Sequence, residues 1–117
     1  MCIRDSSRLR TDLGERLGRS DGRTWDPLFV VDFPLFERED GELTYMHMPF
    51  VAPMEDDIPL LDSDPEKVRA THYDVVLNGV ELGSGSLRNH RSDVQRRILE
   101  VLGYSKAEME ELSLIHI

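Results

Sequence analysis

The sequence predicts an α+β domain, and two observations carry that prediction. Asn78-Gly79 stands between two β-rich runs, Tyr73–Leu77 and Val80–Gly83. Asn-Gly is the strongest short hairpin signal, because both residues tolerate the positive φ of a type I′ turn. On either side of this hairpin the apolar spacing becomes helical: Leu9, Leu13 and Leu17 before it, and Val94, Ile98, Val101 and Leu102 after it.

The elements follow in order. Residues 7–17 form a short amphipathic helix that packs through its leucines and ends near Gly18. Arg19 to Asp26 is a polar loop. Leu28-Phe-Val-Val-Asp32 is a continuous run of β-formers, as in a strand buried on both faces, and Pro34 ends its pairing. Arg38 to Gly41 is a turn. Leu43 to His47 is a second strand leading into Met48-Pro49-Phe50. Residues 51–64 are rich in Pro, Asp and Glu and form a loop. Asp64 then caps a short helical turn with Pro65 at its first position. Ser92-x-x-Gln95 and Ser105-x-x-Glu108 are capping boxes for two further helices. Asp93, Arg96, Arg97 and Glu100 form the wet face of the first of these.

The 117 residues carry a formal charge of −9 and are 39% apolar. That suits one small domain or a piece of a larger one. No apolar run is long enough to span a membrane, and no signal peptide is expected. The acidic balance disfavours this segment as a nucleic-acid surface by itself. The two ends are expected to be foreign. Residues 1–6 back-translate to a DNA stretch whose reverse complement encodes residues 112–117, an inverted repeat typical of a sequencing adapter. The natural segment is then residues 7–111, still at −9 because Arg4 and Asp5 cancel. The single cysteine, Cys2, falls outside it, which fits a cytoplasmic protein without disulfides.

The hairpin also suggests chemistry. A two-residue loop pairs Leu77 with Val80 and Val76 with Glu81. Alternation then puts Val75, Leu77, Val80 and Leu82 on one packed face, and Asp74, Val76, Glu81 and Gly83 on the other. Asp74 and Glu81 are diagonal neighbours, roughly 7–8 Å apart between backbones. Two carboxylates on an outer hairpin face are as a rule simply solvated. Gly83 and Gly85, however, mark places where another group comes close. Two oxygen ligands at this spacing suit Mg²⁺, with water and phosphate completing the shell. Arg88 joins that face only if a bulge interrupts the alternation near the Gly-Ser-Gly run.

Three segments carry a family resemblance: Trp25 to Glu37 with its Val-Val-Asp-Phe-Pro-Leu-Phe core, Tyr45-Met-His-Met-Pro-Phe50, and Tyr73-Asp-x-Val-x-Asn-Gly-x-Glu-x-Gly-x-Gly-Ser-x-Arg88. Together they resemble the bacterial-type aspartyl-tRNA synthetases. The resemblance implies part of a class II synthetase catalytic core, an antiparallel sheet flanked by helices, lying after the inserted domain and before the last signature motif. It implies that Glu81 binds ATP and Mg²⁺ with Asp74 as its companion acid. Arg88 would bind the side-chain carboxylate of aspartate, and His47 would close over that substrate. Met48 stands where many members carry a second histidine and receives no role. His72 and His90 match nothing in the pattern and are assigned to surface or packing. No protein nucleophile is required, so no catalytic residue is named.

The implied activity is ATP-dependent activation of L-aspartate and its transfer to tRNA(Asp), with tRNA(Asn) a further candidate, by a cytoplasmic homodimer. The alternatives are a relative of the aspartate–ammonia ligase type and a non-catalytic paralogue that binds aspartate or adenylate. The family's motif-2 arginine region, motif-3 segment and anticodon-binding domain do not occur in these residues, so the isolated chain is expected to be inactive.

Overall fold

Asn78 and Gly79 take φ of 50° and 84°, as a type I′ turn requires, so the expected hairpin is present. The computed structural model describes residues 3–19 and 22–116, with side chains described from residue 8 to residue 112; Met1, Cys2 and Ile117 of the expected adapter lie outside the described residues. The elements are α1 (Ile3–Arg16), β1 (Pro27–Val30), β2 (Phe36–Glu39), β3 (Glu42–Tyr45), α2 (Leu60–Ser63), β4 (His72–Leu77), β5 (Val80–Ser86), α3 (Ser92–Val101) and α4 (Lys106–His116). Short 3₁₀ turns occupy Glu55–Asp57 and Pro65–Lys67. The strands form a three-stranded sheet in the order β1-β4-β5 and a separate pair, β2-β3. The architecture is α+β. The chain divides into two compact units, one of residues up to Val30 with Tyr73–Gly85, the other of Val31–His72 with residues from Ser86 onward.

In the first unit β4 is the central strand. β1 runs antiparallel to it, with Leu28 opposite Val76, Phe29 opposite Val75 and Val30 opposite Asp74. The Asn78 side chain ties the turn to the start of β1. Its Oδ1 accepts from the Asp26 N–H at 2.9 Å and its Nδ2 donates to the Thr24 carbonyl at 3.0 Å. One residue thus supplies both the left-handed turn and the register of a strand far from it in sequence.

Three packing expectations fail here. The run Leu28 to Asp32 is not a strand buried on both faces. It ends at Val30, alternates in exposure, and leaves Phe29 65% exposed at a sheet edge. Asp32 then turns the chain through φ 60°. The hairpin's apolar face is likewise open, with Val80 and Leu82 both more than 60% exposed. α1 begins earlier than expected, and Leu9, Leu13 and Leu17 are exposed rather than packed.

The core lies in the second unit. Leu35, Phe36, Val51, Leu61, Val68, Ala70, Val94 and Ile98 form one buried cluster. α3 contributes Val94 and Ile98 through the expected stripe, and also Leu99. β2 and β3 join through Asp40 and Gly41, both at positive φ, so Arg38 and Glu39 belong to a strand and not to the turn. The segment expected to be loop holds a 3₁₀ turn and α2, because Leu61 is buried in the core. Asp64 precedes its turn without capping it and pairs with Lys67 at 2.6 Å. Arg97 is not simply on a wet face. It pairs with Asp62 of α2 at 2.6 Å and donates to the Ile58 carbonyl at 3.0 Å.

One buried charge organises this unit. Asp57 is 6% exposed and accepts three hydrogen bonds from Arg69: backbone N–H at 3.0 Å, Nε at 2.8 Å and Nη2 at 3.1 Å. Arg69 also reaches Asp32 at 3.2 Å. Hydrogen bonding to Arg69 holds the Asp57 carboxyl below its ordinary range against the opposing effect of burial. A depressed folded pKa means the stabilisation is complete above the unfolded value, about 3.9, and is lost as pH falls through the folded one. Asp57→Asn should therefore destabilise the chain at pH 6 by about 1–3 kcal/mol. Arg69 remains partly solvated, which keeps the loss below that of a fully buried pair. Urea unfolding at pH 6 and pH 3 checks this: the deficit should shrink at pH 3, and an equal deficit at both would contradict it.

Candidate functional site

The residues singled out by sequence divide between the two units. Asp74 and Glu81 belong to the first, and His47 and Arg88 to the second. Asp74 is half-buried in the central strand opposite Val30. The two-residue turn sets Leu77 against Val80, so alternation puts Glu81 on the Asp74 face. Glu81 is exposed.

The glycines separate into two kinds. A Cβ at Gly83 would meet nothing within 4 Å, whereas one at Gly85 would lie 2.6 Å from the Tyr73 hydroxyl oxygen. What comes close at Gly85 is the chain's own tyrosine, whose ring also lies 6.1 Å from Phe29. Regular alternation from Val80 would point position 85 away from the Tyr73 face. An approach on that face is of the kind a β-bulge produces, the irregularity expected from the spacing of Glu81 and Arg88.

In the second unit the backbone brings two of the expected segments together. Val51 and Arg88 form an antiparallel bridge. The Asn89 N–H donates to the Phe50 carbonyl at 2.8 Å, and the Ala52 N–H donates to the Leu87 carbonyl at 2.8 Å. The Arg88 guanidinium lies over the Phe50 ring at 5.5 Å from its centroid, a favourable cation–π geometry. A cleft of about 790 Å³ opens beside it, lined by Phe50, Arg88, His90 and Arg91 and by residues of α3 and α4. That size suits a small ligand.

Gln95 has left the capping role that its spacing suggested. α3 starts after Arg91 without a side-chain cap. Gln95 Nε2 donates to the Pro49 carbonyl at 2.7 Å, and its Oε1 accepts from Asn89 Nδ2 at 3.1 Å. It pins the Met48-Pro49-Phe50 turn to the start of α3. Ser105 and Glu108 do form their capping box: the Ser105 N–H donates to Glu108 Oε2 at 2.8 Å and the Glu108 N–H to Ser105 Oγ at 3.4 Å. The Ser105 hydroxyl, 2.6 Å from Glu108 Oε2, and then the Ser105 N–H hold the Glu108 carboxyl below its ordinary value.

His47 follows β3 and is half-buried. Its ring stacks on His72, with centroids 3.8 Å apart and planes 21° from parallel. Met48 is 61% exposed. His72, assigned by sequence only to surface or packing, is thus a direct neighbour of a candidate binding residue. No local feature of Thr71-His72-Tyr73 announces this, because the partner lies on a different part of the chain.

Among the described residues no group of three or more histidine, cysteine or acidic side chains could hold a metal. The donor chemistry of Asp74 and Glu81, two carboxylates, fits a hard cation that keeps its waters and takes phosphate oxygens rather than a protein cage.

The chain belongs to the family described as tRNA synthetases class II (D, K and N), whose profile matches residues 5–114. It is 50% identical over 105 residues, 88% of its length, to an aspartate–tRNA ligase of Phocaeicola vulgatus. It is 50% identical over 99 residues to the aspartate–tRNA ligase of Bacteroides thetaiotaomicron, covering 83% of this chain and 17% of that protein. It is 48% identical over 105 residues to an aspartate–tRNA(Asp/Asn) ligase of Lachnoclostridium phytofermentans, covering 88% of this chain and 18% of that one. The chain spans about 18% of the length of the first of these relatives.

Proposed function

We propose that this chain is part of an enzyme that activates L-aspartate with ATP and passes the aspartyl group to tRNA. The observation that carries the reading is the backbone pairing of Phe50–Ala52 with Leu87–Asn89. It holds an arginine and the His47 segment in one unit, as recognition of a small dicarboxylate requires. Arg88 would take the substrate's side-chain carboxylate through its planar fork. Asparagine would leave that guanidinium without its charge partner. His47 would add a hydrogen bond.

In activation, an α-carboxylate oxygen of aspartate attacks the α-phosphorus of ATP. The bond from that phosphorus to the bridging oxygen breaks, and pyrophosphate leaves with the electron pair. The barrier is largely repulsion between anions, so no protein nucleophile is needed. Asp74 and Glu81 would hold Mg²⁺, which supplies charge neutralisation and alignment of phosphates when bound. The same reading places the parent protein in the cytoplasm as a homodimer. It also supplies a reason for the open apolar residues Phe29, Val80 and Leu82: the remainder of the catalytic domain would cover them.

The full-length protein tests this in pyrophosphate exchange with aspartate, asparagine and lysine in turn. Exchange with aspartate alone is expected, and exchange only with one of the others would sink the proposal. The isolated chain is expected to form no adenylate.

A further inference from the structure

We propose that His72 positions His47 for substrate binding. This rests on the reading of His47 as an aspartate-contacting residue. The two imidazoles are stacked at 3.8 Å, and Phe33 closes the group edge-on, with centroids 5.1 Å from His47 and 5.0 Å from His72. Flat rings in stacked and edge-to-face contact restrict one another's rotation beyond the area they bury. His47 lies two residues beyond the last residue of β3, and its ring is held in contact with His72 and Phe33.

The supports of the stack are themselves anchored. Phe33 is 5% exposed, and its carbonyl accepts from the Ala70 N–H at 2.7 Å. Pro34 bridges Arg69, which Asp57 and Asp32 grip. His72 is the first residue of β4, two residues beyond Ala70. The path from the buried ion pair to the His47 ring therefore runs through hydrogen-bonded backbone and two packed rings. Below His47 the chain is held by Gln95 on the Pro49 carbonyl. A loop histidine fixed at both ring and following turn is preorganised, and preorganisation lowers the ordering cost of binding.

The experiment uses the full-length protein in pyrophosphate exchange, with KM for aspartate and for ATP measured separately. His72→Ala should raise KM for aspartate by about 2- to 10-fold, the range that aromatic pairs support, and leave KM for ATP unchanged. His72→Phe keeps a flat ring and should restore KM for aspartate to within about twofold of the parent, on the same stacking argument. Because the residue acts through His47, His47→Ala combined with His72→Ala should be no worse than His47→Ala alone. If His47→Ala raises KM for aspartate but His72→Ala does not, the positioning role is wrong. Equal losses in the Ala and Phe variants, or additive losses in the double variant, would also overturn it. If His47→Ala itself leaves KM for aspartate unchanged, the underlying assignment of His47 fails, and the inference falls with it.

Discussion

Arg88→Leu in the full-length protein is expected to raise KM for aspartate by about 30-fold or more, because truncating one partner of a desolvated charge pair costs about 2–5 kcal/mol. The geometry makes Arg88 a good anchor. Its backbone is bridged to Val51, and its guanidinium rests on the Phe50 face at 5.5 Å. A guanidinium held over an aromatic ring can still offer its N–H edge to a carboxylate. Leucine keeps the strand and the apolar contact with Phe50, so folding should be little affected. Arg88→Lys separates charge from shape: an ammonium preserves the charge but cannot form the parallel pair of hydrogen bonds. Its KM should fall between those of the parent and Arg88→Leu. An unaltered KM for aspartate in Arg88→Leu would remove the carboxylate clamp.

The second large effect is expected at Glu81. Glu81→Gln is nearly isosteric but removes the charge that would attract Mg²⁺. Outer-shell substitutions around a metal typically cost about 10–100-fold in affinity or activity, and a direct ligand should cost at least that. Glu81 is exposed on its strand and no core residue depends on it, so the loss should appear in the rate of exchange and not in thermal stability. The loss should also be partly recovered by raising Mg²⁺, since weaker binding is offset by mass action. Exchange kinetics unchanged in Glu81→Gln would take the residue out of that role.

These two residues show how much of the site was legible in sequence. The Asp74–Glu81 relationship needs only a two-residue turn and strand alternation, both local properties. Asn78 and Gly79 adopted the expected positive φ. The need for a bulge before Arg88 followed from counting residues, and the close approach of Tyr73 to Gly85 is a local feature that fits one. His72 was not legible, because its partner is brought to it by chain return and not by spacing. Gln95 shows the same limit. Its capping-box spacing is genuine, yet its amide found Pro49 and Asn89 instead, whereas the same spacing at Ser105 and Glu108 produced the box. A cap contributes about 1 kcal/mol, so one competing, partly buried carbonyl suffices to redirect it.

Burial diverged for a related reason. Helical spacing identified both Leu9–Leu13–Leu17 and Val94–Ile98 as apolar stripes. Only the second is buried here, against α2, β2 and the Val68–Ala70 segment. Periodicity states which face seeks a partner and cannot state whether the partner lies within these residues.

By itself, then, the amino-acid order determined the turn and the helix stripes, since each depends on steric and hydrogen-bond preferences acting over a few residues. Tertiary structure alone decided that Arg69 grips Asp57, that Gln95 serves Pro49 and that His72 stacks on His47. Those choices compare alternatives of similar local energy, and they are settled by which distant segments the buried core brings within a few ångströms of one another.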